Sequence, residues 1–203
     1  MKNRISVIVF DLGNVLLPFD YDILIRKLNV LKHGLGEHFV KSYFNNYEFH
    51  RKFESGKLPE KEFISEMLNI LGHKVDGETF CRYYSDIFTE NEKVTAILPV
   101  LRKEFKLGML SNTNSIHHAY GWKNYGFINN FDFLVLSYKA GAVKPEEAIY
   151  RQVEKASGCP SSEHIFIDDI KDYVLAAKKI GWDGIHFEGY SSLMNELKIR
   201  GII

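Results

Sequence analysis

Acidic and small polar residues directly follow three apolar segments of the sequence. Asp11 follows the first segment, Ser111 and Asn112 follow the second, and Asp168 and Asp169 follow the fourth. Short apolar runs that end at turn residues are typical of buried strands in parallel sheets. Because ligands of such sheets bind beyond the carboxyl ends of the strands, we expect these side chains to lie at one edge.

Lys144 follows the third apolar segment and adds a positive charge to this predicted edge. Each of these residues taken alone has a simpler explanation, such as a helix cap, a turn or a solvated lysine. Taken together, however, neighbouring carboxylates raise one another's pKa or recruit a cation. Hard oxygen ligands suit Mg²⁺, so we predict Mg²⁺ as the cofactor.

This combination of groups suits phosphoryl transfer, in which catalysis consists mainly of positioning and of neutralising negative charge. Asp11, at the tip of the first strand, could attack phosphorus and form an acyl phosphate. Lys144 would neutralise phosphate charge and keep Asp11 ionised, while Ser111 and neighbouring amides would donate hydrogen bonds to phosphate oxygens. Asp11, Lys144 and Ser111 are therefore the predicted catalytic residues.

Alternating strand-like and helix-like segments are predicted to position these residues. The strand-like segments cover residues 5–10, 106–110, 131–136, 164–167 and 184–187. Helical patterns lie between them at residues 92–104, 116–124, 145–157 and 173–180, with Pro145 in the first turn of the third. Such alternation predicts an α/β fold with a parallel sheet and helices on both of its faces.

The segment between the first two strands has a different pattern. Residues 18–89 contain helical patterns and turn residues but almost no strand-like run, which predicts about four short helices. The segment is rich in Phe and Tyr, and we interpret these rings as the core of a separate helical unit. We therefore predict a core domain of residues 1–17 and 90–203 and a helical cap domain of residues 18–89.

Composition and charge exclude several classes of protein. The chain of 203 residues is 45% hydrophobic and 26% charged, as in ordinary globular proteins, and its formal net charge is zero. No excess of basic residues favours nucleic acid or anionic lipid. Cys81 and Cys159 fit neither a disulfide framework nor a thiolate metal site, and residues 5–10 are too short for a signal-peptide core. We expect a cytoplasmic monomer or weak homodimer without nucleic-acid or membrane partners.

Four short motifs occur in the order found in a known enzyme family. They occupy residues 9–15 (VFDLGNV), 110–114 (LSNTN), 144–145 (KP) and 167–172 (IDDIKD). With these motifs the whole chain resembles the haloacid dehalogenase (HAD) superfamily of aspartate-nucleophile hydrolases, in the subfamily IA-like group with a helical cap. The insert sequence FHRKFESG is most similar to a bacterial branch that includes α-D-glucose-1-phosphate phosphatases. The resemblance implies a Rossmann-like, doubly wound sheet, an α-helical cap and Mg²⁺-dependent hydrolysis of phosphomonoesters.

The resemblance also implies a nucleophile and a set of metal ligands. The family's nucleophile falls on Asp11, and its metal ligands fall on the Asp11 carboxylate, the main-chain carbonyl of Gly13 and the acidic pair. Within that pair, we expect Asp169 to be a direct ligand. Asp168 is expected to be either a second ligand or an outer-shell partner.

The remaining motif residues are implied to bind phosphate or to orient the groups that do. The family's phosphate-binding hydroxyl falls on Ser111 and its lysine on Lys144, and Asn112 is expected to contribute an amide on the phosphate side. Asp172 is expected to orient Lys144 or a metal-bound water. Tyr173 replaces an Asn that is common in the fourth motif, which we interpret as a change in packing.

Gly13 is the main departure from the family pattern. Many phosphatases of the superfamily have a second Asp at this position, which protonates the leaving alkoxide and then activates water. The branch that this chain resembles also has Gly there, so hydrolysis is still expected, but the acid is unidentified. If nothing replaces it, the rate should depend steeply on the leaving-group pKa. His50 and Glu54 of the predicted cap are the candidate substitutes, and packing within the cap is the alternative interpretation of both.

Two other functions remain open at the level of sequence. A metal-independent 2-haloacid dehalogenase uses the same nucleophile on carbon, but the adjacent Asp168 and Asp169 argue against it, since two uncompensated carboxylates would repel a carboxylate substrate. A noncatalytic module that binds phosphorylated metabolites is supported only by Gly13. We predict a phosphatase of small phosphorylated metabolites such as sugar phosphates, with sugar 1-phosphates among the candidate substrates.

Overall fold

A five-stranded parallel sheet forms the centre of the protein, in a computed structural model that describes residues 5–203. The strands are β1 (Val7–Phe10), β2 (Lys106–Ser111), β3 (Phe133–Leu136), β4 (His164–Asp168) and β5 (Asp183–His186). Their order across the sheet is β3-β2-β1-β4-β5, and all neighbours are parallel. The predicted doubly wound α/β fold is therefore confirmed, with β1 in the central position.

Both faces of the sheet are covered, as the apolar strand sequences predict. Ile8 and Phe10 point into one hydrophobic cluster, whereas Val7 and Val9 point into another on the opposite face. All four side chains are fully buried. Burial of each such side chain contributes about 1.5–3 kcal/mol. A shift of one residue would expose the buried side chains to the wrong face, so the register of β1 is fixed, and with it the position of Asp11 at the end of the strand.

Helices and helical turns connect the strands. After the insert they are α6 (Glu92–Thr95), α7 (Leu98–Leu101), a π-helical turn (His117–Trp122), a 3₁₀ turn (Gly126–Asn130), α8 (Ser137–Ala140), α9 (Glu147–Ser157), a 3₁₀ turn (Ser161–Glu163), α10 (Lys171–Lys179) and α11 (Tyr190–Ile199). The helix predicted at residues 92–104 is divided into α6 and α7. Pro99 has no amide hydrogen to donate to the carbonyl four residues earlier, so a continuous helix would lack that hydrogen bond. The helix predicted from Pro145 begins two residues later, so Pro145 precedes it.

The segment between β1 and β2 is helical, as predicted, but it has five helices rather than four. They are α1 (Tyr21–Leu31), α2 (Leu35–Asn45), α3 (Tyr47–Glu54), α4 (Glu60–Ile70) and α5 (Gly77–Ser85). Their apolar faces form a cluster of their own, rich in aromatic rings. The amide of Thr89 donates to the carbonyl of Pro18 at 2.9 Å, so the insert enters and leaves at one place. The division into core and cap domains stays a prediction.

Two sequence expectations concern cysteines and membrane spans. Cys81 and Cys159 are both free thiols. Within residues 5–203, no helix combines the length and the apolar composition that crossing a bilayer requires.

A stability test follows from the turn that joins α3 to α4. Gly56 has φ +68°, and a Cβ atom there would lie 2.2 Å from the carbonyl oxygen of Tyr138 in α8. Gly72 has a similar φ of +57° but open space around it. Gly72→Ala should cost only backbone strain, about 1 kcal/mol. Gly56→Ala should lower the free energy of unfolding by about 2 kcal/mol or more, because the turn must also move off α8. Equal losses in urea unfolding would contradict this packing.

Candidate active site

The end of β1 places Asp11 at the carboxyl edge of the sheet. The Asp11 amide donates to the carbonyl of Ile167 in β4 at 2.8 Å, which continues the strand pairing by one residue. The chain then turns sharply, and the amide of Leu17 donates to the carbonyl of Leu12 at 2.8 Å. Asn14, with φ +55°, occupies the left-handed position of this turn, which Asn tolerates better than most residues. The Asp11 side chain therefore points into the site and is largely buried.

Lys144 lies between two carboxylates in the interior. Its Nζ is 2.7 Å from Oδ1 of Asp11 and 2.6 Å from Oδ2 of Asp168, and its side chain is only 1% exposed. The other oxygen of Asp168 accepts a hydrogen bond from the amide of Ile170 at 2.7 Å. Lys144 is thus oriented by Asp168, whereas Asp172, which we expected in this role, is exposed at the start of α10. Asp172 therefore does not orient Lys144, and the alternative role of orienting a metal-bound water stays a prediction.

Aromatic rings cover the ammonium group of Lys144. Its Nζ lies 5.0 Å from the ring centroid of Tyr173 and 5.4 Å from that of Phe166. Such cation–π contacts favour the charged form of a lysine when the site is desolvated. Burial alone would lower the pKa of Lys144, but Asp11 and Asp168 raise it above its usual value. Tyr173 therefore has the packing role that its substitution for Asn suggests.

The side-chain amide of Asn112 holds the Lys144 loop in place. Its Oδ1 accepts from the Lys144 amide at 2.8 Å, and its Nδ2 donates to the Lys144 carbonyl at 3.2 Å. This clamp joins the end of β2 to the loop that carries Lys144, and the sequence analysis did not foresee it. Asn112 is predicted to bind phosphate, and since its side chain is used here, that contact would come from its main chain.

Ser111 ends β2 with its hydroxyl largely free. Within residues 5–203, its Oγ makes only a long contact, 3.5 Å, to the carbonyl of Asn112, and the residue is buried. The next loop is fixed by Ser137, whose Oγ accepts from the amide of Thr113 and donates to its carbonyl, both at 2.9 Å. Ser111 is therefore held rigidly while its hydroxyl remains able to donate to a bound anion.

Three carboxylates come together beside Lys144. Asp11, Asp168 and Asp169 each offer an oxygen, and these atoms all lie within 4.8 Å of one another. Burial raises the pKa of Asp11 to about 7, with Lys144 opposing the rise and Asp168 adding to it. Burial likewise raises the pKa of Asp168. The single positive charge of Lys144 therefore does not offset the burial and mutual repulsion of these carboxyl groups. A divalent cation bound beside them would add to the effect of Lys144 and lower their pKa values.

The donor set of this cluster fits Mg²⁺. All of the groups are hard oxygen ligands, and the Asp169 carboxylate is held by a hydrogen bond from Nδ2 of Asn14 at 3.0 Å. The Gly13 carbonyl accepts from the amide of Val15 at 2.7 Å and keeps a second lone pair. Because Asp168 has both of its oxygens occupied by Lys144 and Ile170, Asp169 is the more available ligand. The assignment of Asp169 as the direct metal ligand stays a prediction.

Two adjoining cavities lie over the carboxyl edge of the sheet. The larger of the two has a volume of about 260 Å³ and is lined by residues that include Asp11, Lys144 and Asp169. The smaller, of about 90 Å³, is lined by residues that include Ser111, Thr113, Tyr21 and His117. Gly13, Phe19, Glu54 and Asn112 line both cavities. A larger concavity of about 450 Å³ lies elsewhere and is lined by none of the predicted site residues.

The two candidate acids of the insert differ in position. His50 is buried among aromatic rings, 3.5 Å from Tyr43 between ring centroids, and lines neither cavity. Burial lowers the pKa of His50 to about 4. It therefore packs within the insert, which was the alternative interpretation of this residue. Glu54 lies at the end of α3 and faces both cavities.

The parallel sheet, its helical insert and its acidic edge are features of HAD-type hydrolases. The chain belongs to this family, because the model of the haloacid dehalogenase-like hydrolase family matches residues 8–187. A D-ribitol-5-phosphate phosphatase from Bacteroides thetaiotaomicron is 28% identical over 204 residues, which cover 96% of this chain and 98% of that protein. A phosphatase from Mycobacterium tuberculosis is 26% identical, over 87% of this chain and 84% of its own length.

A solved structure gives the same fold. It is a HAD family enzyme from B. thetaiotaomicron in complex with magnesium and inorganic phosphate, with a TM-score of 0.77 and 24% identity, covering 93% of this chain and 98% of that one. The predicted family and enzyme class are confirmed, and the predicted phosphatase activity agrees with the names of the two curated relatives. The narrower resemblance to glucose-1-phosphate phosphatases is not confirmed.

Proposed function

We propose that this HAD-family hydrolase is a Mg²⁺-dependent phosphatase of small phosphorylated sugars or polyols, with an aspartyl phosphate formed on Asp11. The observation that carries the proposal is the ion pair between Asp11 and Lys144 inside a cluster of three carboxylates. The names of the curated relatives support the same reaction class. The two cavities, about 260 and 90 Å³, favour a small metabolite as substrate.

Each side chain has a distinct task in the proposed reaction. A carboxylate oxygen of Asp11 attacks phosphorus, and the bond from phosphorus to the alcohol oxygen of the substrate breaks. Lys144 neutralises charge on the transferring group, while the Ser111 hydroxyl donates to a phosphate oxygen. Asp11, Asp169, Asp168 and the Gly13 carbonyl are the groups that would hold Mg²⁺. When bound there, the ion supplies positive charge for the phosphoryl oxygens.

The acidic cluster disfavours the two alternative functions. A 2-haloacid is itself an anion, and three carboxylates at the cavity would repel it unless a cation compensated them. A noncatalytic binding module has no need for a buried lysine that pairs with the predicted nucleophile.

The oligomeric state, a monomer or a weak homodimer, stays a prediction, and equilibrium sedimentation would measure it.

A substrate panel tests the proposed function. The purified protein should release phosphate from small phosphomonoesters, including pentitol 5-phosphates and sugar 1-phosphates, and chelation should abolish this release until Mg²⁺ is added back. As a control, a set of 2-haloacids is assayed for halide release under the same conditions, with and without chelator. Halide release that is indifferent to chelator, without phosphate release from any ester, would contradict the proposal.

Metal binding can also be measured without turnover. Mg²⁺ should raise the Tm of the metal-free protein, since a ligand that binds only the folded state stabilises it. Asp169→Ala should need at least about 10-fold more Mg²⁺ for the same rise, because a direct ligand is lost. Asp22→Ala, at an exposed position of α1 outside both cavities, is the matched control and should titrate like the wild type. An unchanged titration of Asp169→Ala would contradict its role as a ligand.

A further inference from the structure

The place of the missing second Asp is filled by an aromatic ring. Gly13 has no side chain, and a Cβ atom there would lie 3.2 Å from Cε1 of Phe19. A side chain at this position would therefore require the ring of Phe19 to shift by a few tenths of an ångström. The proposed substrates include primary alkyl phosphates, whose alkoxide leaving groups depart slowly without a proton. A phosphatase of such esters needs an acid from elsewhere in the chain.

The junction of the two cavities indicates where the side chain of that acid must lie to reach the leaving oxygen. Asp11 and Lys144 line the larger cavity and Ser111 lines the smaller one, so the phosphoryl group that they would bind belongs where the two cavities meet. The bridging oxygen of the ester then lies at the junction of the two cavities. Among residues 5–203, Glu54 is the one carboxyl-bearing residue that lines both of them.

We propose that Glu54 is the general acid and base of this phosphatase, an inference that rests on the proposed function. As Asp11 bonds to phosphorus, the bond to the leaving oxygen breaks, and that oxygen takes the proton of the Glu54 carboxyl group. The resulting carboxylate then accepts a proton from the water that attacks the aspartyl phosphate. Phosphate departs, the Asp11 carboxylate is restored, and Glu54 is protonated as at the start.

The surroundings of Glu54 favour this cycle of protonation. The residue is half-buried at the end of α3, and burial raises the pKa of its carboxyl group, while Arg51 and Lys144 act in the opposite direction. Arg51 also anchors α3 to the core, since its Nη2 lies 3.8 Å from Oε1 of Glu146. This ion pair fixes the helix that carries Glu54, and the residue lines both cavities.

Other titratable groups near the junction are less suitable. His117 lines the smaller cavity, but burial lowers its pKa to about 3, so the ring stays neutral and is a weak acid. Burial raises the pKa of Tyr21 far above the neutral range, which makes its phenol a poor proton donor. Asp11 and Asp169 are committed to the nucleophile and to the metal cluster.

The test compares two classes of ester in the variant Glu54→Gln. For a primary alkyl phosphate, kcat/KM should fall by about 10²–10⁴-fold, because the leaving alkoxide loses its proton donor. For p-nitrophenyl phosphate, whose leaving group needs no proton, kcat/KM should change by less than about 10-fold. The same variant should show a burst of nitrophenol, since the aspartyl phosphate also loses its base. Glu48→Gln, the same change at an exposed position of α3, is the control and should leave both esters unaffected.

The outcomes separate the alternatives. Equal losses of kcat/KM for both esters, or no loss for the alkyl ester, would overturn the role of Glu54. The wild-type enzyme gives an independent measurement: kcat/KM across aryl and alkyl esters should depend only weakly on leaving-group pKa, and a steep dependence would overturn the proposal. Absence of phosphate release from every ester by the wild type would overturn the proposed function itself, so the two failures are distinguishable.

Discussion

Asp11→Asn should lose nearly all phosphatase turnover, by a factor on the order of 10⁴ or more. An amide oxygen is a poor nucleophile and cannot form the acyl phosphate, so the first chemical step is blocked. The fold should survive the change, because Asn has the same shape and the main-chain pairing of this position with Ile167 is unaffected. Steady-state phosphate release with a pentitol phosphate measures the effect.

A measurement of stability shows whether Asp11→Asn is folded, which is the control for its loss of turnover. Burial raises the pKa of Asp11 to about 7, so the ionised carboxylate is less favourable in the folded protein than in the unfolded chain. Such an acid lowers stability as pH rises from its usual value of 3.8 to about 7, the lost stability is not regained above that pH, and Asn removes this effect. Metal-free Asp11→Asn should therefore be at least as stable as the wild type above neutral pH. Substantial turnover in a folded Asp11→Asn would contradict its role as nucleophile.

The second large effect is expected at Lys144. Lys144→Met leaves Asp11 and Asp168 buried without their shared cation, and breaking such a pair costs about 3–5 kcal/mol of stability. Turnover should also fall by about 10²–10³-fold, because one source of charge stabilisation is lost. Lys155→Met, on the exposed side of α9, is the matched control. Urea unfolding and initial rates measure the two effects.

The pH dependence of Lys144→Met has a defined sign. Lys144 lowers the pKa of Asp11, so its removal raises that pKa beyond about 7. The carboxyls then hold their protons at low pH and must ionise as pH rises. The loss of stability should be larger near about pH 9 than near about pH 6, and residual activity should shift to higher pH. A loss of stability that is independent of pH would contradict this electrostatic account.

The sequence was sufficient to predict the sheet and the residues at its edge. Buried strands such as β1 and β4 have apolar runs that stop at a polar residue, and parallel strands bring those residues to one side. Asp11 and Asp168 follow from this rule directly. Their shared partner Lys144 followed from its position after the third strand, although a short helix, α8, intervenes before it.

The interactions between loops could not be predicted in the same way. The clamp from Asn112 to the main chain of Lys144 joins residues 32 positions apart, and neither local pattern contains a signal for it. Asp172 has the spacing of a partner for Lys144, but α10 turns it outward. Glu54 was one of two possible acids, because the sequence does not tell which face of α3 meets the cavities.

The central claim is that hydrolysis proceeds through a phosphoryl group on Asp11. Rapid acid quenching of the wild-type enzyme during one turnover, followed by digestion and mass spectrometry, tests it most directly. We expect the peptide that contains Asp11 to gain one phosphoryl group before free phosphate appears, and to lose that group at the rate at which phosphate is released. Phosphate release without any phosphorylated peptide, or with the phosphoryl group on another residue, would contradict the account.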